Sequence, residues 1–205
     1  MYSEGSEECL LNAENLIKDA NILIEARGFG SAQSLCVIAI EEIGKAIILE
    51  LANLRHVDQD FVGMAMRDHR PKKVVLLGIE QSRLLLGDDL AKEADQYIID
   101  QNKLKELARE MQVEILGLEK KRQEGFYAQV DPKDGGITSS PRSISKENAS
   151  LLAKKAEIYL KVGRVLCELF SNIRNGRKTG VTLRKVILPE PGISDYTMTI
   201  VWDEI

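Results

Sequence analysis

Residues Ile38–Ile48 read IAIEEIGKAII, an aliphatic run with two glutamates and a lysine set into its middle. At 100° per residue, Leu35, Cys36, Ala39, Ile40, Ile43, Ile47, Leu51 and Leu54 form one broad apolar face. Ile38, Ile48, Leu49 and Ala52 lie opposite and are apolar as well. A helix that is apolar all round is buried all round. Glu41 and Lys45 therefore sit in the second apolar face, with Glu42 on its edge, lining an internal or cleft-facing site rather than open solvent. Buried charges need partners, because an isolated one costs on the order of several kcal/mol. Glu41–Lys45 at i,i+4 is one ready pair and Glu42–Lys45 at i,i+3 another. Two carboxylates against one ammonium leave a negative charge for a cation from elsewhere to balance. Gly44, inside a helix at a cost of about 1 kcal/mol against alanine, suits a place where another backbone approaches. The alternative to a functional cleft is a satisfied core ion pair that fixes helix register.

The rest of the chain reads as helices around this one. Its 205 residues suffice for one domain with a real core, and we expect a single helical domain over 1–205, with a core over 4–176 and a tail over 177–205. Hydrophobic residues make up 44% and aromatics only 5%, a balance that favours aliphatic helix packing over a sandwich. A first helix is expected from Ser6 to Ala26, with Leu10, Ala13, Ile17, Ala20 and Ile24 inward and Arg27-Gly28-Phe29-Gly30 ending it, glycine being the stop signal. Ser31 caps the second, which runs to Arg55. A weaker segment spans Phe61–Met66. Pro71 opens a third helix ending near Leu86, and a long fourth runs from Leu90 to Arg122, with Gly117 as a soft spot. Lys133-Asp134-Gly135-Gly136, flanked by short extended runs, suits a small hairpin or ordered loop. Ser145 caps a fifth helix that Asn175-Gly176 stops, its buried side marked by Leu151, Leu152, Ile158, Val162, Val165, Leu166, Leu169 and Ile173. The tail is irregular, except that Thr197–Trp202 alternates as a lone strand would or drapes over the bundle.

Charge and cysteines narrow the setting. The net charge is -4, so the molecule is not a generic polyanion binder. Met1–Asp60 holds 11 acidic and 4 basic residues, whereas Arg142–Lys185 holds 11 basic and 3 acidic. The basic stretch is either a solvated helix face or a patch for an anionic partner. Cys9, Cys36 and Cys167 are odd in number and far apart, which implies a reducing compartment without disulfides. The acidic N-terminus lacks the basic start of a signal peptide. The most apolar window, Leu35–Leu54, holds Glu41, Glu42, Lys45 and Glu50, too many charges for a membrane span. From these features we expect a cytoplasmic setting.

Three segments carry a family resemblance. SLCVIAIEEIGKAIIL, from Ser34, resembles the signature of the AbiV-type abortive-infection proteins, Glu-Glu-x-Gly-Lys-Ala after an apolar run. DHRPKK, with His69 and Lys72 three apart, is similar to that family's His-x-x-Lys segment. KRQEGFYAQVDPKDGGITSSPRSIS, with Arg122 and Tyr127, resembles its stretch of a basic residue, an aromatic pair, a loop and a proline. Order and spacing agree over roughly Met1–Arg174.

The resemblance implies an all-α, HEPN-like bundle of about five helices with a small hairpin or loop insertion. It also implies a phage-defence role in a bacterial or archaeal host and pairing into a homodimer. Many HEPN proteins are metal-independent ribonucleases with an Arg-x4–6-His motif on a late helix. Here the fifth helix holds Arg164 and Arg174 and no histidine. Cleavage through the 2'-hydroxyl needs a base, an acid and a cation on the phosphate. His69 suits acid or base near neutral pH, and Glu41 or Glu42 orients it or serves as base. Lys45, Lys72 or Arg122 binds phosphate, and Tyr127 donates a hydrogen bond. No P-loop, metal-ligand spacing or nucleophilic triad is present, so no cofactor is expected. Two functions remain open: a defence effector acting on RNA or the translation machinery, and a non-enzymatic helical module that binds a phage or host protein. A small-ligand sensor is a weaker third.

Overall fold

The computed structural model describes residues 2–68 and 117–177 with their side chains, and the backbone of the strands 181–187 and 199–204. Within them the fold is the all-α bundle expected, with a small two-stranded insertion. Helix α1 spans Ser3–Glu25 and buries Leu10, Ala13, Ile17, Ala20 and Ile24, the stripe its periodicity requires, together with Ser6. Helix α2 spans Phe29–Asn53. It starts two residues before the expected cap at Ser31, because Gly28 takes the capping position without a side-chain bond. Both helices end in the same motif. Arg27 has φ 62° and Arg55 φ 59°. The Gly28 N–H returns to the Leu23 carbonyl at 2.7 Å, and the His56 N–H to the Leu51 carbonyl at 3.0 Å. The left-handed residue that stops each helix is thus an arginine rather than the glycine expected for α1, and the six-to-one bond satisfies a carbonyl left over at the helix end.

Helix α3, Gln59–Arg67, is longer than the segment expected there. Asp58 extends it by accepting the Phe61 N–H at 2.7 Å. A helical segment over residues 117–126, here α4, ends beyond Arg122. Next comes the expected hairpin, with β1 (Gln129–Val130) antiparallel to β2 (Ile137–Ser139). Asp131 and Asp134 fold its turn by accepting the backbone N–H groups of Lys133 and Gly136. A 3-10 turn, Pro141–Ser143, leads to α5, Lys146–Arg174, capped at Ser145 as the sequence indicated. In the tail, β4 (Thr199–Glu204) is not alone: it pairs antiparallel with β3 (Val181–Ile187), where an irregular course was expected. The helix expected from Pro71, most of the long one before residue 117, and His69 and Lys72 lie outside the described residues.

Helix α2 is the hub. Val37, Ile40, Ile43, Ile47, Ile48 and Leu51 are wholly buried, with α1 and α5 packed against it. That is the arrangement that hides both of its faces. On α5 one expectation fails. Leu151, Ile158 and Val165 were placed on the buried side, yet they are exposed. The buried arc runs instead through Ala149, Ala153, Ala156 and Gly163 as well as Leu152, Val162 and Leu166. Small residues let the helices close in: a Cβ on Gly163 would lie 2.7 Å from Ile43 Cγ2. The closest approach therefore centres on the small side chains and turns part of the bulky stripe outward.

Candidate functional site

Glu41 and Glu42 are adjacent on α2 and both buried, at 3% and 9% exposure. Lys45 is half-buried, and its ammonium pairs with Glu42 Oε1. Of the two pairings that the spacing allowed, the structure shows the one at i,i+3.

The face of α2 that carries Glu41 and Lys45 is also the face α4 packs on. Ser34 lies seven residues before Glu41, two helical turns, and so on the same side, about 10 Å along the axis. Its hydroxyl donates to the Arg122 carbonyl at 2.7 Å, and Gln33 Nε2 donates to the Lys121 carbonyl at 2.8 Å. One step further back, a Cβ on Gly125 would fall 2.3 Å from the Gly30 carbonyl oxygen. The pairs Gly30–Gly125 and Ser34–Arg122 run in opposite directions along the two chains. Helix α4 therefore lies antiparallel on α2, and Leu118, buried at 2%, is its next turn towards Glu41. Arg122 meets α2 through its carbonyl on Ser34, and its guanidinium pairs with Glu119 Oε1 of its own helix at 2.6 Å.

Tyr127 is elsewhere. It follows Gly125, which rests on Gly30, fifteen residues and about 22 Å along α2 from Lys45. It is 66% exposed and edge-on to Phe126, with ring centroids 6.2 Å apart. The structure thus gathers Glu41, Glu42 and Lys45, anchors the Arg122 backbone two turns away on Ser34, and leaves Tyr127 at the far end of the helix. His69 and Lys72 are outside the described residues. The other histidine, His56, closes α2 beside a surface hollow lined by Arg55, Val57, Asp58 and Gln59. Burial pushes its pKa below the usual value. Among the described residues, no cluster of three or more His, Cys, Asp or Glu is placed to hold a metal ion.

Three features escaped the sequence reading. Glu50, buried at 4%, accepts from Arg174 Nη1 at 3.0 Å and clasps the end of α5. Gln33 and Ser34 bind the backbone of α4. Their presence as polar residues inside an apolar run was the available signal. A hollow of about 380 Å³ beside α1 is lined by Glu8, Cys9, Leu11, Asn12, Asn15 and Glu42. No local pattern marks it, because its wall and floor come from two helices.

The sequence pattern of AbiV, in its HEPN form, matches residues 1–161. That span holds the glutamate pair, its lysine, the hairpin and the first half of α5. The chain belongs to the AbiV family. No curated protein and no solved structure matches it. For an AbiV chain the role indicated is abortive infection, a form of phage defence. No helix among the described residues is long and apolar enough to cross a membrane.

Proposed function

We propose that this AbiV protein acts on RNA or the translation machinery during abortive infection, through a polar centre of Glu41, Glu42 and Lys45 completed by His69, Lys72 and Arg122. The observation that carries this reading is the second carboxylate. An ion pair that only fixed helix register would need one glutamate and Lys45, and Glu42 with Lys45 makes that pair. Glu41, adjacent and still more deeply buried, sets a second carboxylate into the same core. Glutamate is seldom fully buried, so two adjacent ones beside a lysine mark a polar centre rather than ordinary core. In a metal-independent cleavage through the 2'-hydroxyl, a glutamate or His69 takes the proton and Lys45, Lys72 or Arg122 faces the phosphate. Tyr127 stands outside this centre.

The test is a set of variants, Glu41→Gln, Lys45→Met and His69→Ala, assayed for phage protection, for binding and cleavage of total cellular RNA, and for melting temperature. The reading requires protection and RNA activity to collapse while most of the thermal stability of Glu41→Gln remains. Full protection with Glu41→Gln and Lys45→Met together would sink it.

A non-enzymatic module that binds a phage or host protein is the second reading. The exposed row Leu151, Ile158 and Val165 favours it, since bulky apolar side chains seven apart form one outward stripe on α5. Under that reading Ile158→Ser abolishes protection and Glu41→Gln does not. A homodimer is part of either proposal, and sedimentation at micromolar concentration tests it.

A further inference from the structure

The hollow beside α1 reaches Glu42 of the glutamate pair. Glu8, Asn12 and Asn15 stand at i, i+4 and i+7 and so form a single row along one flank of α1. All three are exposed. Cys9, Leu11 and Glu42 complete the lining. Glu42 is nine-tenths buried, so the part of it that meets this hollow is its route to solvent. The row shares this hollow with the buried carboxylate that pairs with Lys45.

The chemistry of this lining is selective. Each asparagine amide offers a donor and an acceptor side by side. Glu8 and Glu42, when ionised, only accept. A phosphate is disfavoured here by two carboxylates, and the nearby ammonium is already engaged. A flat group that presents an amino donor next to a ring-nitrogen acceptor suits both the amides and the carboxylate. Asparagine pairs in this way with adenine N6 and N7, and a glutamate accepts from cytosine N4. Uracil has no amino group to give. We infer that this hollow receives an unpaired, amino-bearing nucleobase, adenine or cytosine, read by Asn12 and Asn15 over Glu42. The inference rests on the RNA reading above and adds to it a place where the nucleotide is recognised and a base preference.

The experiment uses the full chain and two probes. Adenosine, cytidine and uridine are titrated to millimolar concentration while the side-chain amide resonances of Asn12 and Asn15 are followed by NMR. Short oligo(A), oligo(C) and oligo(U) RNAs are then compared for affinity to the wild type and to Asn12→Ala/Asn15→Ala. Both asparagines are exposed, so melting temperature checks that the variant is folded. The expected result is amide shifts with adenosine and cytidine but not uridine, and at least about tenfold weaker oligo(A) binding by the variant. Equal shifts with uridine, no shift with any nucleoside, or unchanged oligo(A) affinity in the folded variant overturns the inference. RNA cleaved by wild type and variant alike would defeat the hollow and leave the RNA reading standing. Nucleosides bound in the hollow by a protein that leaves cellular RNA untouched would defeat RNA cleavage and keep the hollow.

Discussion

Arg174, in the last turn of α5, donates through Nη1 to Glu50 Oε2 at 3.0 Å and through Nη2 to Ser171 at 3.3 Å. The residues are 124 positions apart, and the bond ties the C-terminal end of α5 to the last turns of α2. Asn53 Nδ2 adds a longer contact to the same carboxylate oxygen at 3.4 Å.

This pair sets a stability prediction. Removing Arg174 leaves Glu50 buried without its cation, which costs ~3–5 kcal/mol in a fully buried pair. The Arg174 side chain is 30% exposed, so water relieves part of the loss and Arg174→Met should cost about 2 kcal/mol. Adding Glu50→Gln to Arg174→Met should recover much of it. Urea unfolding of the four proteins in the cycle measures the coupling. Additive losses would show that the pair contributes nothing.

Backbone geometry gives opposite signs at two sites. Arg55 occupies the left-handed region at φ 59°, which costs an L-residue ~1–2 kcal/mol. Arg55→Gly removes that strain at some cost in chain entropy and should stabilise by about 0.5–1 kcal/mol. Gly125→Ala should do the reverse. Its Cβ would strike the Gly30 carbonyl oxygen and Ser34 Oγ, at 2.3 and 2.2 Å, forcing α4 off α2 at about 1–3 kcal/mol. Thermal melts of both variants decide it, and a Gly125→Ala protein as stable as the wild type would disprove the close crossing.

Thiol reactivity should split cleanly. Burial pushes the Cys36 and Cys167 thiols up to about 12, helped by Glu157 at Cys36 and opposed by the Ser6 hydroxyl at Cys167. The thiolate is the nucleophile, so both are inert near neutral pH in the folded chain. Cys9 is half-buried and lines the hollow beside α1. Brief iodoacetamide treatment at pH 8 should label Cys9 alone, and all three cysteines after unfolding. Labelling of Cys36 or Cys167 in the native protein would contradict the packing.

His56 contributes a pH dependence. Burial lowers its folded pKa below the ordinary 6.5, so the unfolded chain takes up a proton first as pH falls. The stability held above about 6.5 is then lost as pH falls towards the folded value. Wild type should therefore lose more of its urea midpoint between pH 7.5 and 5 than His56→Gln. Parallel curves would remove His56 from the account.

Much was legible in the sequence because it depends on neighbours along the chain. The two-faced apolarity of α2 forces it into the centre whatever surrounds it, and the three- and four-residue spacing of Leu10 to Ile24 fixes the inner side of α1. Ser145 and the Asp-Gly-Gly turn act within a few residues, so cap and hairpin could be read directly. The glutamates' burial followed from the same periodicity. Tertiary structure alone decided the rest. Which of the two pairings Lys45 adopts depends on rotamers set by packing. The outward turn of Leu151, Ile158 and Val165 follows from the small residues that let α5 close on Ile43. The separation of Tyr127 from Glu41 follows from the Gly30–Gly125 crossing, which anchors α4 at the far end of α2. The Glu50–Arg174 bond and the hollow beneath Asn12 and Asn15 join residues distant in the chain. Periodicity assigns a side chain to a face, but the opposing face is chosen by shape and close approach between helices.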